Sequence, residues 1–300
     1  MPPSTMALTE SSPPSPIPSS AGWPALPLPV FARPGRYSAW CCGPSRAGAA
    51  MCRRAQPRAL LSRGRRRAAR WTRETFMSFG QTLLDRVWLW HGDPGLVERR
   101  VALTGRVDLL QKGDAVLCFV PHFYGMDERW LDPAHAQHRA QLVDLLFAAE
   151  RRAHGSLDTR GRQRYAGPRL VARHEGVRPL LRGLRDGAAL CLLPDMDLGA
   201  RDSVFVKFFG QDAATVTSLP RLAKAAGVPV VPWVCRLLPG GYQVEVLDAW
   251  AGYPSGDDET DARFMNEQLE ALIRTMPGQY HWLHRRFKTR PEGQPPLYQR

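Results

Sequence analysis

His122 and Asp127 stand five residues apart, just past an apolar run from Val116 to Val120 that Pro121 closes. The run is short, continuous and rich in Val and Phe, which predicts a buried strand. Open α/β sheets gather their ligands beyond the carboxyl ends of parallel strands. An imidazole there can act as a general base, and a carboxylate close by can orient it and stabilise the imidazolium. Five residues of straight helix would set the two side chains on different faces, so the chain is expected to turn between them. Gly125 makes such a turn inexpensive. The chemistry suggested is general base catalysis; no Ser or Cys sits in a nucleophile-elbow pattern. With eight His in the chain, a lone His–Asp pair is a weak signal, and other segments must decide.

Asp195 and Asp197 follow the apolar stretch Leu190 to Leu193. They are expected at the same sheet edge as His122. Two carboxylates could bind a metal, but no third ligand follows in the sequence. An architectural role, a substrate contact, or capping of the next turn all fit. Further along, Lys207, Arg285, Arg286, Lys288 and Arg290 alternate with Phe208, Phe209, Trp282 and Phe287. Planar guanidinium forks suit phosphate, although a solvated basic run has the same composition.

The elements that must position these residues are legible in outline. Strands are predicted at Val116–Val120, Arg169–Ala172, Ala188–Leu193, Val228–Cys235 and Tyr242–Leu247, and helices at Val177–Arg185, Ser218–Ala226 and Asp261–Met276. Alternation of this kind predicts an α/β fold with a mixed or mostly parallel sheet flanked by helices. Upstream, Phe76, Phe79, Leu83, Val87 and Trp90 recur at helical spacing, with Leu84 and Trp88 widening the stripe. Such a helix fits a core position against the sheet, and also a bilayer interface. Asp93, Pro94 and Gly95 are expected to end it.

These segments resemble the lipid A biosynthesis acyltransferases, the late lauroyl and myristoyl transferases of the lysophospholipid acyltransferase superfamily. The His122/Asp127 pair is shared across that superfamily. The Asp195-x-Asp197-x-Gly199 block and the tail from His284 to Gly293 are more specific. The resemblance runs from about Trp71 to Asp127 and from about Arg162 to the C-terminus. It implies transfer of a fatty acyl chain from acyl-carrier protein to a hydroxyl of a lipid A precursor, without a cofactor, at the cytoplasmic face of the cell inner membrane. His122 is then the base and Asp127 its orienting group. Arg164 matches an arginine of the family's active site and is the candidate oxyanion donor, with Arg162 as the nearby alternative. Asp195, Asp197, Lys207, Arg285, Arg286 and Lys288 become candidate substrate contacts, because both substrates are anionic, and Asp195 or Asp197 is a candidate partner for Arg164. Val204, Phe205, Val206, Phe208 and Phe209 are candidates for an acyl groove or for ordinary core. A different lipid acceptor, such as a lysophospholipid, is the alternative, against which the two specific blocks weigh.

Two stretches depart from that pattern. Between Glu128 and Asp158 the resemblance implies a Gly-rich apolar segment. This chain has Leu142 to Phe147 between His- and Arg-rich flanks, which fits an amphipathic helix and fits equally a local frame shift yielding an impaired relative. Up to Arg70 there are eleven Arg, no Lys and one acid, so this region holds +10 of the formal +13. Residues 1–69 read as a disordered Pro/Ser- and then Arg-rich tail, with a basic helix from about Ala59 to Ala69, and residues 70–300 as the acyltransferase-like domain. The tail is either a polybasic segment drawn to anionic lipid or non-native leader sequence from a misplaced start codon or a shifted frame. A nucleic-acid-binding protein is disfavoured, since the charge sits where no recognition module is visible. No stretch approaches the roughly 20 apolar residues of a membrane span, although the resemblance implies an anchor helix. Cys118, Cys191 and Cys235 lie in apolar runs and read as small core residues. No Cys spacing suggests zinc or disulfides, which fits a reduced, cytoplasm-facing protein.

Overall fold

The computed structural model describes residues 65–111, 115–125, 142–146, 169–172 and 175–298. Helix α1 (Arg65–His91) and a short α2 (Pro94–Arg100) lead into strand β1 (Val101–Gly105). A single turn, α3 (Asp108–Gln111), precedes β2 (Val116–Phe119). Then come β3 (Leu142–Leu146), β4 (Arg169–Ala172), α4 (Arg178–Arg185) and β5 (Ala189–Leu192). A hairpin of β6 (Ser203–Phe208) and β7 (Gln211–Val216) is followed by α5 (Ser218–Ala226), β8 (Val230–Leu238), β9 (Gly241–Val246) and α6 (Asp258–Thr275).

Seven strands form one sheet in the order β1-β9-β8-β2-β5-β3-β4, and β6 and β7 form a separate antiparallel pair. Every pairing in the large sheet is parallel except β8 with β9, which are joined by a tight turn. The alternation of side chains along each strand explains why the central strands are apolar throughout. Leu117 and Phe119 of β2, Leu190 and Leu192 of β5, and Val230 and Val234 of β8 face a core closed by Leu180 and Leu184 of α4, Leu219 and Leu222 of α5, and Met265, Leu269 and Ile273 of α6. The intervening residues Cys118, Cys191, Val231, Trp233 and Cys235 face a second core closed by Leu89 of α1, Val97 of α2 and Leu110 of α3. Strands covered on both faces need no polar positions. The three cysteines are buried in the strands, as small core residues.

The expected α/β class holds, and the predicted strands and helices near the site are present within a few residues. Four features differ. Helix α1 begins at Arg65 and so crosses the expected tail–domain boundary at residue 69; residues 1–64 lie outside the described residues. Leu142–Leu146 is a strand paired with both β4 and β5, not part of an amphipathic helix. Five residues with one interior Asp carry no period that separates strand from helix. Strand β1 and the β6/β7 hairpin were not expected as strands. The candidate groove residues Val206, Phe208 and Phe209 are buried, the last two in the first core, while Val204 and Phe205 are half-buried. The fourth concerns α1: its buried positions are Ala68, Thr72, Thr75, Ser78, Asp85 and Leu89, a largely polar line, whereas Val87 of the predicted apolar stripe is exposed.

Candidate active site

Strands β2 and β5 are parallel neighbours, with Phe119 opposite Leu192. Continuing three residues past each of these positions brings His122 and Asp195 side by side beyond the carboxyl edge of the sheet. Asp195 grips His122 twice. Its Oδ2 accepts the His122 main-chain N–H at 2.9 Å and its Oδ1 meets the ring Nδ1 at 2.6 Å. The carboxylate is fully buried, while the His122 side chain keeps 13% of its surface exposed. Burial pushes the Asp195 carboxyl up, but the charge and hydrogen bonds of His122 pull harder the other way and hold it at about 2. An ionised acceptor on Nδ1 keeps a proton on that nitrogen, so Nε2 is left with the lone pair.

The segment carrying His122 is clamped from the other side by the stretch after α6. The His122 carbonyl accepts the His281 N–H, Phe123 bridges Tyr280, and the Tyr124 N–H donates to the Gln279 carbonyl. The chain turns at Gly125 with φ +98°, a conformation that favours glycine. Asp127, beyond that turn, lies outside the described residues, as does Arg164. The carboxylate on the His122 ring among the described residues is therefore Asp195. Its signal in the sequence was an apolar run ending two residues before a polar side chain, as at His122; the parallel pairing that joins them is visible only in the fold.

Asp197 turns away from the imidazole. It accepts the Thr289 N–H at 2.7 Å, the Thr289 hydroxyl at 2.8 Å and the Gly199 N–H at 3.0 Å, while its own N–H donates to Nε2 of His284 at 2.8 Å. Both carboxylates of the Asp-x-Asp-x-Gly block thus have their oxygens occupied by protein donors: the first holds His122, the second holds the C-terminal segment. Among the described residues no three His, Cys, Asp or Glu side chains converge to hold a metal.

The basic candidates separate in the same way. Arg286 is buried; it donates to the Ala214 carbonyl and the Thr215 hydroxyl, and its guanidinium lies over the Phe208 ring. That makes it a structural tie between the tail and the hairpin, and burial lowers its pKa. Arg290 donates to the Asp212 carbonyl and to Gln294. Lys207 is 65% exposed and paired with Asp212 at 2.8 Å. Arg285 and Lys288 are exposed, the former lying over Tyr298. Sequence reasoning passed over His281 and His284. The ring of His281 lies 6.4 Å from that of His122. Both have pKa values lowered to about 4, by burial first and by neighbouring positive charge. His284 opens the more specific tail block, but only the fold brings the two rings to the sheet edge.

The chain matches the profile of the bacterial lipid A biosynthesis acyltransferases over residues 23–289. It belongs to that family. Among characterised relatives, it is 43% identical over 125 residues to the lipid A biosynthesis lauroyltransferase of Escherichia coli K12, a match covering 41% of each chain. A lipid A biosynthesis acyltransferase of Haemophilus influenzae is 34% identical over 195 residues, 61% of this chain and 57% of the relative. The E. coli lipid A biosynthesis myristoyltransferase is 35% identical over 142 residues, 46% of this chain and 43% of the relative. The matched regions thus span about half the length of these relatives, or less.

Proposed function

We propose that this lipid A acyltransferase family member moves a fatty acyl chain from an acyl-carrier-protein thioester to a hydroxyl of a lipid A precursor. The observation that carries the reading is the His122–Asp195 pair at the carboxyl edge of the sheet, in a chain of this family. As the acceptor oxygen attacks the thioester carbonyl carbon, its proton passes to Nε2 of His122. Asp195 stabilises the imidazolium that results. The tetrahedral adduct carries a negative oxygen, for which Arg164 is the proposed donor. Collapse of the adduct forms the ester and breaks the carbon–sulfur bond, and the imidazolium returns its proton to the leaving thiolate. General base catalysis of this kind supplies about 10²–10⁴-fold. No acyl-enzyme is required.

The exposed cations Lys207, Arg285 and Lys288 are the proposed contacts for acceptor phosphates or for the acidic carrier protein. The proposed place of action is the cytoplasmic face of the inner membrane, where both substrates meet. The test is an in vitro transfer assay with acyl-carrier-protein thioesters and an underacylated lipid A precursor. The wild-type chain is expected to form product, and His122→Ala is expected to form none while keeping its circular dichroism and melting temperature. Product from His122→Ala would remove the base. No product from folded wild-type protein would identify an impaired relative.

A further inference from the structure

Beside the base stands a second imidazole to which the acyl-transfer reading gives no task. Phe123 and Tyr280 are antiparallel bridge partners, so the register sets His122 directly opposite His281. The His281 main-chain N–H donates to the His122 carbonyl at 2.9 Å, and the Tyr124 N–H to the Gln279 carbonyl at 2.8 Å. Side chains alternate along extended chain. Phe123 and Tyr280 turn into the first core, and His122 and His281 take the other face, at the sheet edge. The two imidazole rings lie 6.4 Å apart, tilted by 33°. That is too far for a bond between them and near enough for both to reach one tetrahedral centre. The His281 ring is held on two further sides, by the edge of Tyr124 at 5.6 Å and by Phe79 of α1 at 6.2 Å. These aromatic neighbours fix its position without engaging its nitrogens. Among the described residues no protein group bonds either ring nitrogen of His281, and neither is an atom sealed from solvent without a partner.

We propose that His281 is a second catalytic residue, whose imidazole N–H donates a hydrogen bond to the oxygen of the tetrahedral adduct formed at His122. The inference rests on the acyl-transfer reading and deepens it. An imidazole can serve as base, as acid or as neutral donor, and the surroundings select the last. A base needs a partner that keeps a proton on its far nitrogen. Asp195 does this for His122, and among the described residues no carboxylate does it for His281. An acid needs the cation. The His281 pKa is lowered to about 4, by burial first, then by the positive charge of His122 and His284, with Asp195 the smallest influence and opposed to them. A neutral N–H donor needs neither. It can stand beside His122 as that ring becomes imidazolium, whereas a second cation would oppose the proton transfer. A neutral imidazole polarises a carbonyl without giving up its proton. As the acceptor oxygen bonds the thioester carbon, its proton goes to Nε2 of His122 and the carbonyl π pair moves onto the oxygen that His281 holds. On collapse that pair re-forms the carbonyl, the carbon–sulfur bond breaks, and His122 returns the proton to the thiolate. Arg164 is then a companion donor, since such an oxygen accepts more than one bond.

The test uses the full chain and two substitutions. His281→Leu removes the donor and keeps an apolar side chain against Phe79 and Tyr124, and His281→Gln supplies an amide N–H instead. In the transfer assay, His281→Leu is expected to lower kcat about 10²-fold with KM little changed, and His281→Gln to restore a large part of that rate. A second readout needs no turnover. It is the calorimetric affinity for a long-chain alkylphosphonate monomethyl ester, whose tetrahedral anionic oxygen stands in for that of the adduct. Wild-type protein is expected to bind it, His281→Leu to bind it about tenfold more weakly, and His281→Gln to bind nearly as wild type does. In wild-type protein carrying isotope-labelled histidine, the His281 ring N–H resonance is expected to move when the phosphonate is added, which decides the matter if His281→Leu misfolds. The two readings fail separately. Transfer that is lost in His122→Ala but unchanged in His281→Leu would remove the donor and leave the acyl-transfer reading standing. Phosphonate binding that depends on His281, in a wild-type chain that transfers nothing, would support the donor while the acyl-transfer reading fails. A His281→Gln variant no better than His281→Leu, a wild-type chain that ignores the phosphonate, or an unmoved His281 resonance would each overturn the proposal.

Discussion

Asp195 and Asp127 are candidates for one task, and among the described residues Asp195 is the carboxylate on the His122 ring. A carboxylate with both oxygens on His122, fully buried and ionised down to about pH 2, holds the ring tautomer at every pH at which the enzyme would work. Asp195→Asn keeps the shape but lets the amide present either an oxygen or an NH₂ to Nδ1. The fraction of imidazole with its lone pair on Nε2 should fall, and kcat with it, by about 10³-fold or more. Steady-state transfer by Asp195→Asn and Asp127→Asn, measured side by side, checks this. A large loss only in Asp127→Asn would return the orienting role to that residue. His122 itself was legible as the polar residue after an apolar strand. Its partner was legible only as a neighbour at the same edge, because the register of β2 against β5 is a tertiary fact. No pattern in either strand records which carboxylate would reach the ring.

Between elements, the C-terminal segment joins parts of the fold that local structure leaves apart. Arg286 reaches from that segment to β7, and its partners there are the Ala214 carbonyl and the Thr215 hydroxyl. Arg286→Met would fill much of the same volume but remove the donor to the buried Ala214 carbonyl and leave the Thr215 hydroxyl with the Asn266 amide as its donor. We expect a loss of about 2–4 kcal/mol in stability, read from urea unfolding. Arg286→Lys should recover little of it, because a single ammonium cannot span the guanidinium's acceptors. A variant as stable as wild type would show that the tie contributes nothing. Arg286 was expected among the substrate contacts because a basic residue in an aromatic-rich run has the same sequence appearance whether it points outward or inward. The elements themselves divide along similar lines. Central strands buried on both faces were readable as continuous apolar runs, and α6 as a helix expected from Asp261; it starts three residues earlier, at Asp258, where the Asp257 side chain accepts the Thr260 N–H at 2.8 Å. Strand β1 was missed because it follows α2 with no breaker between them, and β7 because Gln211 to Thr215 carries little apolar signal. Helix α1 was found, but its inward face was not, because apolar periodicity marks the side that avoids water and does not say what covers it.

At the scale of the molecule, the site edge and the C-terminal segment share one pH dependence. His281 donates its N–H to the His122 carbonyl, and His284 accepts the Asp197 N–H through Nε2. That second bond requires a neutral ring. Both histidines are held at about 4, below the ordinary 6.5, mainly because burial disfavours the cation. Between pH 6.5 and 4 the unfolded chain therefore binds protons that the folded chain does not, and stability falls as the solution is acidified through this window. The loss amounts to about 3 kcal/mol per histidine at most. Below it, Asp195 acts in the same direction: its carboxyl is held at about 2 against an ordinary 3.8, so a further loss follows as pH drops between those values. The urea midpoint should decline as the pH is lowered from about 7.5 to about 4, and His281→Gln/His284→Gln should flatten that decline while lowering the value at the upper pH less. An unchanged slope in the double variant would mean that other groups govern the acid sensitivity. Because both rings lie in the segment that clamps His122, protonation should release the clamp before the sheet unfolds. Hydrogen exchange at the His281 and Thr289 amides is expected to rise between pH 6 and 4 while exchange in β2 and β5 stays slow.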